Sequence, residues 1–185
     1  ASTVNEVLLG LHLSNLEKDR NKRLLLMSQS LESFRTTVFR QALFAEFELR
    51  IHEMAQNGEA LTADALNKLY LSLLREYYGE AEGHIVIDPL YAAEWSYVPH
   101  FYYNFYMFQY TTSFIAATSI AQAIFNGDTK ARDNYLGMLK AGGSKSPVDL
   151  LKMAGVEMSG AGPYQDAFKL MNQTITDMKK LVGEK

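Results

Sequence analysis

The sequence predicts an all-α fold, and three observations lead to this prediction. Apolar residues recur at helical spacing over most of the chain, whereas no alternation typical of a strand lasts more than a few residues. Residues that cap helices stand at the ends of these periodic segments. The composition, 48% hydrophobic and 21% charged, is that of a globular protein, and 185 residues suit one domain or a large piece of one.

Three helices are predicted in the first half of the chain. The second is long, and the β-branched pair Thr36-Thr37 marks a candidate bend within it. Asn57-Gly58 provides its C-terminal stop, and Thr62 provides the N-cap of the third helix, which ends before Gly79. These helices cover roughly residues 2–18, 20–56 and 62–78.

Residues 80–99 interrupt the helical pattern. The run GHIVID has the composition of a strand, and the backbone before Pro89 and Pro99 is restricted to extended forms. Helical periodicity then returns as an aromatic-rich helix over roughly residues 101–126. Asp128 and Ser146, each placed as an N-cap, open two short helices, and an amphipathic helix follows. These last three helices cover roughly residues 128–140, 146–154 and 163–182.

No charged residue occurs from Ser96 to Gly127, a stretch long enough to span a bilayer. Many Asn, Gln, Ser and Thr side chains interrupt it, and no basic segment precedes it. This polarity is costly in lipid but suits a helix surrounded by protein. We therefore predict a buried helix and no membrane partner.

Charge and cysteine content exclude several functional classes. The net charge is −3, which does not suit a polyanion, and we expect no nucleic-acid partner. The chain has no cysteine, so disulfides, thiol catalysis and cysteine-ligated zinc are excluded. The absence of cysteine also fits a reducing compartment, and we expect a cytoplasmic protein.

Two sets of residues resemble catalytic motifs but lack a feature that the chemistry requires. His52-Glu53 begins the helical zinc-peptidase pattern His-Glu-x-x-His, but Gln56 occupies the position of the second histidine, so no metal ligand is predicted in this chain. Glu46 and Glu48 are two residues apart on one helix and point to different faces, which rules out a catalytic dyad. We expect arginine or water to satisfy these acids, the candidates being Arg40 and Arg50.

The densest cluster of chemically useful side chains lies in the stretch HFYYNFYMFQY, residues 100–110. Tyr103, Tyr106 and Tyr110 are spaced three and four apart, which places their hydroxyls on one face of the predicted helix. His100 precedes that helix and can point the same way. A histidine with convergent phenols can bind a substrate carbonyl and stabilise the oxyanion that forms on it. The spacing alone leaves a second interpretation open, in which the rings only pack in the core.

Several motifs resemble one peptidase family. PHFYYNFYMFQYTTSF, followed by KAGGSKSPVDLLKMAGVEM, is similar to the C-terminal part of oligoendopeptidase F, in the thimet oligopeptidase-like family of zinc metallopeptidases. ASTVNEVLL resembles the family's helix after its third zinc ligand, and RQALFAEFELRIHE resembles the segment that follows. The resemblance covers essentially the whole chain. It implies the C-terminal helical portion of a zincin-like fold that encloses a deep channel.

The resemblance also implies a larger protein. The family's His-Glu-x-x-His helix and its third ligand, a glutamate, would precede Ala1, so residues 1–185 are expected to be the C-terminal helical part of a peptidase catalytic domain. The expected cofactor is zinc, held by the missing N-terminal portion of the same protein, and this chain alone is expected to be inactive. The expected activity is hydrolysis of short unstructured peptides.

The family implies a role for individual residues. His100 matches a histidine, and Tyr103 and Tyr106 match tyrosines, that hold the scissile carbonyl opposite the zinc, and these three are the expected catalytic residues. Tyr110 is a further candidate for substrate binding, and Glu6 matches a glutamate that supports a zinc-binding histidine. The alternative function is a non-catalytic helical domain that binds peptides or serves as a scaffold, with the aromatic residues as its core.

Overall fold

The computed structural model describes residues 1–183 and confirms the all-α prediction. No strand occurs among these residues, and the GHIVID run forms a loop. Two compact units are present: one combines residues 1–35 with the described residues from 112 onward, and the other comprises residues 36–111. The α-helices are α1 (Ser2–Leu16), α2 (Arg20–Phe34), α3 (Arg40–Gln56), α4 (Ala63–Tyr77), α5 (Phe108–Phe125), α6 (Thr129–Ala141), α7 (Pro147–Met153) and α8 (Gly162–Val182).

The first unit has a core built on the uncharged helix α5. Small and β-branched side chains of α5 are buried together with Val4 of α1 and Tyr135 of α6. Helix α2 packs against both α1 and α8, and α6 packs against α7. The prediction of a buried helix is therefore confirmed for the central part of α5, residues 114–121. Across residues 1–183, no helix combines the length and the apolar character that a membrane span requires.

The second unit has a core made by α3, α4 and the segment that follows α4. Phe47 and Tyr70 are fully buried, and their rings meet edge to face with centroids 5.2 Å apart. Helix α4 packs against α3 and also against a 3₁₀-helix, Pro89–Tyr97. Asp88 begins this 3₁₀-helix by accepting a hydrogen bond from the amide of Leu90 at 2.9 Å. The aromatic core thus gives the irregular segment after α4 a rigid support.

Helices α2 and α3 are joined by a π-helical segment, Arg35–Phe39, at the predicted irregularity. A π turn leaves backbone carbonyls without their usual α-helical donors. The Thr111 hydroxyl donates to the carbonyl of Val38 at 3.2 Å and to that of Thr37 at 3.4 Å. The Thr36-Thr37 pair therefore lies at a real change in helix geometry.

The predicted N-caps are confirmed. Thr62, Asp128 and Ser146 each accept a hydrogen bond from a backbone amide three residues later, at 3.2, 2.9 and 3.2 Å. Each bond satisfies an amide that has no partner inside its helix. These local interactions fix the starts of α4, α6 and α7.

Glu94 links the 3₁₀-helix to both helices of the second unit. Its carboxylate is buried, and it accepts hydrogen bonds from Arg40 of α3 and from the Tyr70 hydroxyl of α4, the latter at 2.6 Å. Burial and the Glu94 carboxylate raise the pKa of Tyr70 above its ordinary value. Next to Glu94, the indole N–H of Trp95 donates to the Asn67 side chain at 2.8 Å.

We predict that Glu94→Ala lowers the free energy of unfolding by about 3 kcal/mol, because it leaves the Arg40 guanidinium and the Tyr70 hydroxyl without their buried acceptor. Urea unfolding of the chain measures this change. Glu82→Ala, at an exposed acid in the neighbouring loop, should stay within about 0.5 kcal/mol of the parent. A loss below about 1 kcal/mol for Glu94→Ala would show that the buried pair contributes little.

Candidate functional site

The HFYYNFYMFQY stretch is not the helix that its periodicity predicts. Pro99–Tyr103 forms a 3₁₀-helix, and α5 begins only at Phe108. Between them, Asn104 and Phe105 have backbone φ angles of 39° and 56°, in the left-handed region. Two consecutive left-handed residues end any right-handed helix. The predicted start of the aromatic helix at about residue 101 is therefore wrong.

Two side chains of this stretch point into the core of the second unit. The Phe101 ring packs edge to face against Phe44 and Phe47, with centroid distances of 5.7 and 5.3 Å. Met107 is 1% exposed and belongs to the same core. These two residues stand on either side of the left-handed turn. They fix both ends of the turn to the α3–α4 core.

The four predicted site residues come together on the other side of this stretch. The His100 ring lies 6.3 Å from Tyr103, 5.9 Å from Tyr106 and 5.9 Å from Tyr110, measured between centroids. Tyr106 also contacts Tyr103 at 6.2 Å and Tyr110 at 5.4 Å. The prediction that these rings converge is confirmed. The single helix face that was to bring them together does not exist, because Tyr103 and Tyr106 precede α5 and a turn separates them.

Hydrogen bonds connect members of this His–Tyr cluster. The Tyr110 hydroxyl lies 3.2 Å from Nε2 of His100. A hydrogen bond with the Tyr106 side chain raises the pKa of Tyr110 above its ordinary value. These contacts are mutually consistent when His100 Nε2–H donates to Tyr110 and the Tyr110 hydroxyl donates to Tyr106. Tyr103 and Tyr106 are 65% and 38% exposed, so solvent reaches both side chains.

Sequence reasoning missed the residue that stabilises the turn. Glu48 of α3 is 1% exposed, and its carboxylate accepts a hydrogen bond of 2.5 Å from the amide of Phe105. The partner found for Glu48 is thus a backbone amide and not one of the expected arginines. The expectation of an arginine is right for Glu46, which accepts from Arg50 at 3.0 Å and from the Tyr77 hydroxyl at 2.9 Å. Asn104 was the available signal, because asparagine adopts the left-handed conformation more readily than most residues.

Glu6 lies in the first unit and is exposed. It lines a cavity of about 400 Å³ between α1, α2, α5 and α8, where the buried Thr118 hydroxyl has no hydrogen-bond partner among the described residues. Residues 1–183 contain no group of three or more His, Cys, Asp or Glu side chains that could hold a metal ion.

Comparison with known proteins assigns the chain to a family. The sequence profile described as Peptidase family M3 matches residues 1–170. The chain belongs to peptidase family M3. It is 44% identical over 182 residues to oligopeptidase PepF of Bacillus subtilis (strain 168), covering 98% of this chain and 27% of that relative. It is 45% identical to the chromosomal oligoendopeptidase F of Lactococcus lactis subsp. cremoris, covering 98% of this chain and 30% of that relative.

A solved family M3 relative has the same fold. The crystal structure of oligoendopeptidase-F from Enterococcus faecium superposes with a TM-score of 0.93 at 42% identity and covers 98% of this chain and 34% of that one. The chain thus spans about a third or less of the length of these relatives and matches their C-terminal part. The predicted family resemblance is confirmed.

We predict that Tyr106→Phe lowers the pKa of Tyr110 toward its ordinary value of about 10. The Tyr106 hydroxyl accepts a hydrogen bond from the neutral Tyr110 phenol and stabilises it, and the substitution removes this acceptor. A pH titration of the tyrosine ¹³Cζ resonances in the chain measures this shift. The control Tyr102→Phe, at an exposed ring outside the cluster, should leave the Tyr110 titration unchanged. An unchanged Tyr110 titration in Tyr106→Phe would contradict the contact.

Proposed function

We propose that the complete protein containing this chain is a zinc-dependent oligoendopeptidase that hydrolyses short unstructured peptides. In this proposal residues 1–185 are the C-terminal helical part of its catalytic domain and form one wall of the cleft. Family membership and the named activities of the similar relatives support peptide hydrolysis. One observation carries the proposed role of this chain. The rings of the His–Tyr cluster lie close together, and two of its tyrosines, Tyr103 and Tyr106, are exposed to solvent.

The proposed role of the His–Tyr cluster is to hold the scissile carbonyl. A phenol is protonated at neutral pH, so the hydroxyls of Tyr103 and Tyr106 can donate to a carbonyl oxygen. Hydrogen bonds to a charged acceptor are stronger than those to a neutral one, so the same donors favour the tetrahedral oxyanion over the planar carbonyl. His100 and Tyr110 keep the donors oriented through the contacts described above, and the His100 N–H that donates to Tyr110 can donate to the carbonyl instead. Such preorganisation lowers the barrier to water attack.

The cofactor and partner assignments concern the complete protein. Zinc is the proposed cofactor, but the described residues of this chain do not assemble its ligands. Following the family resemblance, we assign the ligands to the N-terminal portion and assign Glu6 to the support of a ligating histidine, which suits its exposure. A cytoplasmic location is proposed because a chain without cysteine fits a reducing compartment.

The alternative function, a non-catalytic domain with the aromatic stretch as its core, explains only part of this stretch. It accounts for Phe101 and Met107, which do pack in the core. It does not account for Tyr103 and Tyr106. These side chains are partly exposed to solvent, so they contribute less to a core than buried residues do. Their exposure favours a binding role over a packing role.

We predict that Tyr106→Phe in the complete protein lowers kcat by about tenfold or more, because a well-placed oxyanion donor contributes about 2.7–4 kcal/mol to the transition state. Steady-state hydrolysis of a fluorogenic peptide measures the change. The matched control is Tyr102→Phe, since Tyr102 is 82% exposed and outside the cluster, and it should keep the parent kcat. An unchanged kcat with a lower melting temperature in Tyr106→Phe would show that Tyr106 serves packing and not catalysis.

We also predict that the 185-residue chain alone binds no stoichiometric zinc and cleaves no peptide, since the proposed ligands lie outside it. Elemental analysis after dialysis against zinc, together with the peptide assay, checks both statements. One tightly held zinc per isolated chain would contradict this assignment of the ligands.

A further inference from the structure

Glu48 sits in an unusual environment for a carboxylate. It is 1% exposed and lies on α3 between Phe44 and Phe47 on one side and His52 on the other, all within about one turn. A buried acid is costly unless it is hydrogen-bonded. Its 2.5 Å bond from the Phe105 amide crosses 57 residues of sequence. A charged acceptor makes this bond stronger than a bond between neutral groups.

The backbone that Glu48 binds is strained. Asn104 and Phe105 both have positive φ angles, and a bulky residue such as Phe105 rarely adopts that conformation. Such a turn persists only where its surroundings over-determine it. The Glu48 bond fixes the amide of Phe105, and the His52 ring lies on the Phe105 ring with centroids 4.4 Å apart. Two residues of α3, one turn apart, therefore hold the same left-handed residue.

This turn sets the geometry of the His–Tyr cluster. His100 and Tyr103 belong to the 3₁₀-helix before the turn, whereas Tyr106 and Tyr110 follow it. The distances between the two pairs, 5.9 Å for His100 to Tyr106 and 6.2 Å for Tyr103 to Tyr106, are set by the backbone conformation at Asn104–Phe105. Relaxation of Phe105 to an ordinary negative φ would change the direction of the chain between the two pairs and so the way in which their rings meet.

We propose that Glu48 is a positioning residue for the peptidase reaction, acting through the Phe105 amide to hold the left-handed turn and so to align Tyr103 and Tyr106 with His100. The inference rests on the proposed function for its kinetic consequence. Its structural part, the coupling of Glu48 to the turn, depends only on contacts within this chain and not on the proposed function. Glu48 touches no substrate in this proposal and differs in this from the His–Tyr cluster.

The kinetic test compares three variants of the complete protein on a fluorogenic peptide. Glu48→Leu removes the acceptor, and kcat and kcat/KM should fall together by about tenfold or more, as expected when transition-state donors are misplaced. Glu48→Gln keeps a neutral acceptor and should fall between Glu48→Leu and the parent. The matched control is Glu46→Leu, two residues earlier on α3, whose carboxylate binds Arg50 and Tyr77 rather than the turn. It should retain the parent kcat.

A second substitution separates positioning from general stability. Asn104→Gly relieves strain in the turn, because glycine adopts positive φ without steric cost. Combined with Glu48→Gln, it should recover at least threefold of the lost kcat. If Glu48 served only the stability of the α3 core, a glycine in an exposed turn would recover no activity. That result would overturn the inference.

The structural arm uses the complete protein with ¹⁵N-labelled phenylalanine. In the parent, the Phe105 amide should resist hydrogen exchange, and Glu48→Leu should abolish that protection while Glu46→Leu keeps it. Glu48→Gln serves in place of Glu48→Leu if the latter does not fold. If the parent complete protein cleaves no peptide, the proposed function fails. Hydrogen exchange of the Phe105 amide still tests whether Glu48 holds the turn. If the parent cleaves peptides and Glu48→Leu keeps the parent kcat although Phe105 protection is lost, the inference fails and the proposed function stands.

Discussion

The hydrogen bond from the Phe105 amide to the buried Glu48 carboxylate is the constraint on which the candidate site depends. It holds two consecutive left-handed residues, each of which costs about 1–3 kcal/mol in backbone strain. Phe101 and Met107 secure the two ends of the turn in the α3–α4 core. With the turn fixed, residues from a 3₁₀-helix and from the start of an α-helix meet as one cluster. A continuous helix over the same sequence would instead place Tyr103, Tyr106 and Tyr110 along one helix face.

Carboxylates from elsewhere in the sequence order the uncharged stretch between Ser96 and Gly127. Glu48, from α3, binds the turn inside it, and Glu94, just before it, joins the preceding 3₁₀-helix to Arg40 and Tyr70. The stretch itself can then be neutral and aromatic on its exposed side. Such a surface presents phenol hydroxyls without an acidic, lysine or arginine side chain of its own. The stretch thus has no acid, lysine or arginine of its own, and buried acids outside it or at its start hold its backbone and the preceding 3₁₀-helix in place.

Local chemistry made most of the fold predictable. Thr62, Asp128 and Ser146 signal the starts of their helices through bonds to amides three residues away, and the Thr36-Thr37 pair marks the π segment. The aromatic helix could not be predicted because its interruption depends on Glu48, 57 residues distant. Residue spacing grouped four residues that do lie close together, but for an incorrect geometric reason. The chemical role proposed for them came from the family resemblance, since periodicity alone does not separate a binding surface from a core.

The most direct test of the central claim is a crystal structure of the complete protein with an uncleaved peptide analogue in the cleft. The proposed function requires the analogue's scissile carbonyl, or the group that replaces it, to accept a hydrogen bond of about 2.6–3.2 Å from Tyr103, Tyr106 or His100. The left-handed turn at Asn104–Phe105 should persist in that complex. A carbonyl bound elsewhere, with the His–Tyr cluster packed against protein and out of reach of the peptide, would contradict the account.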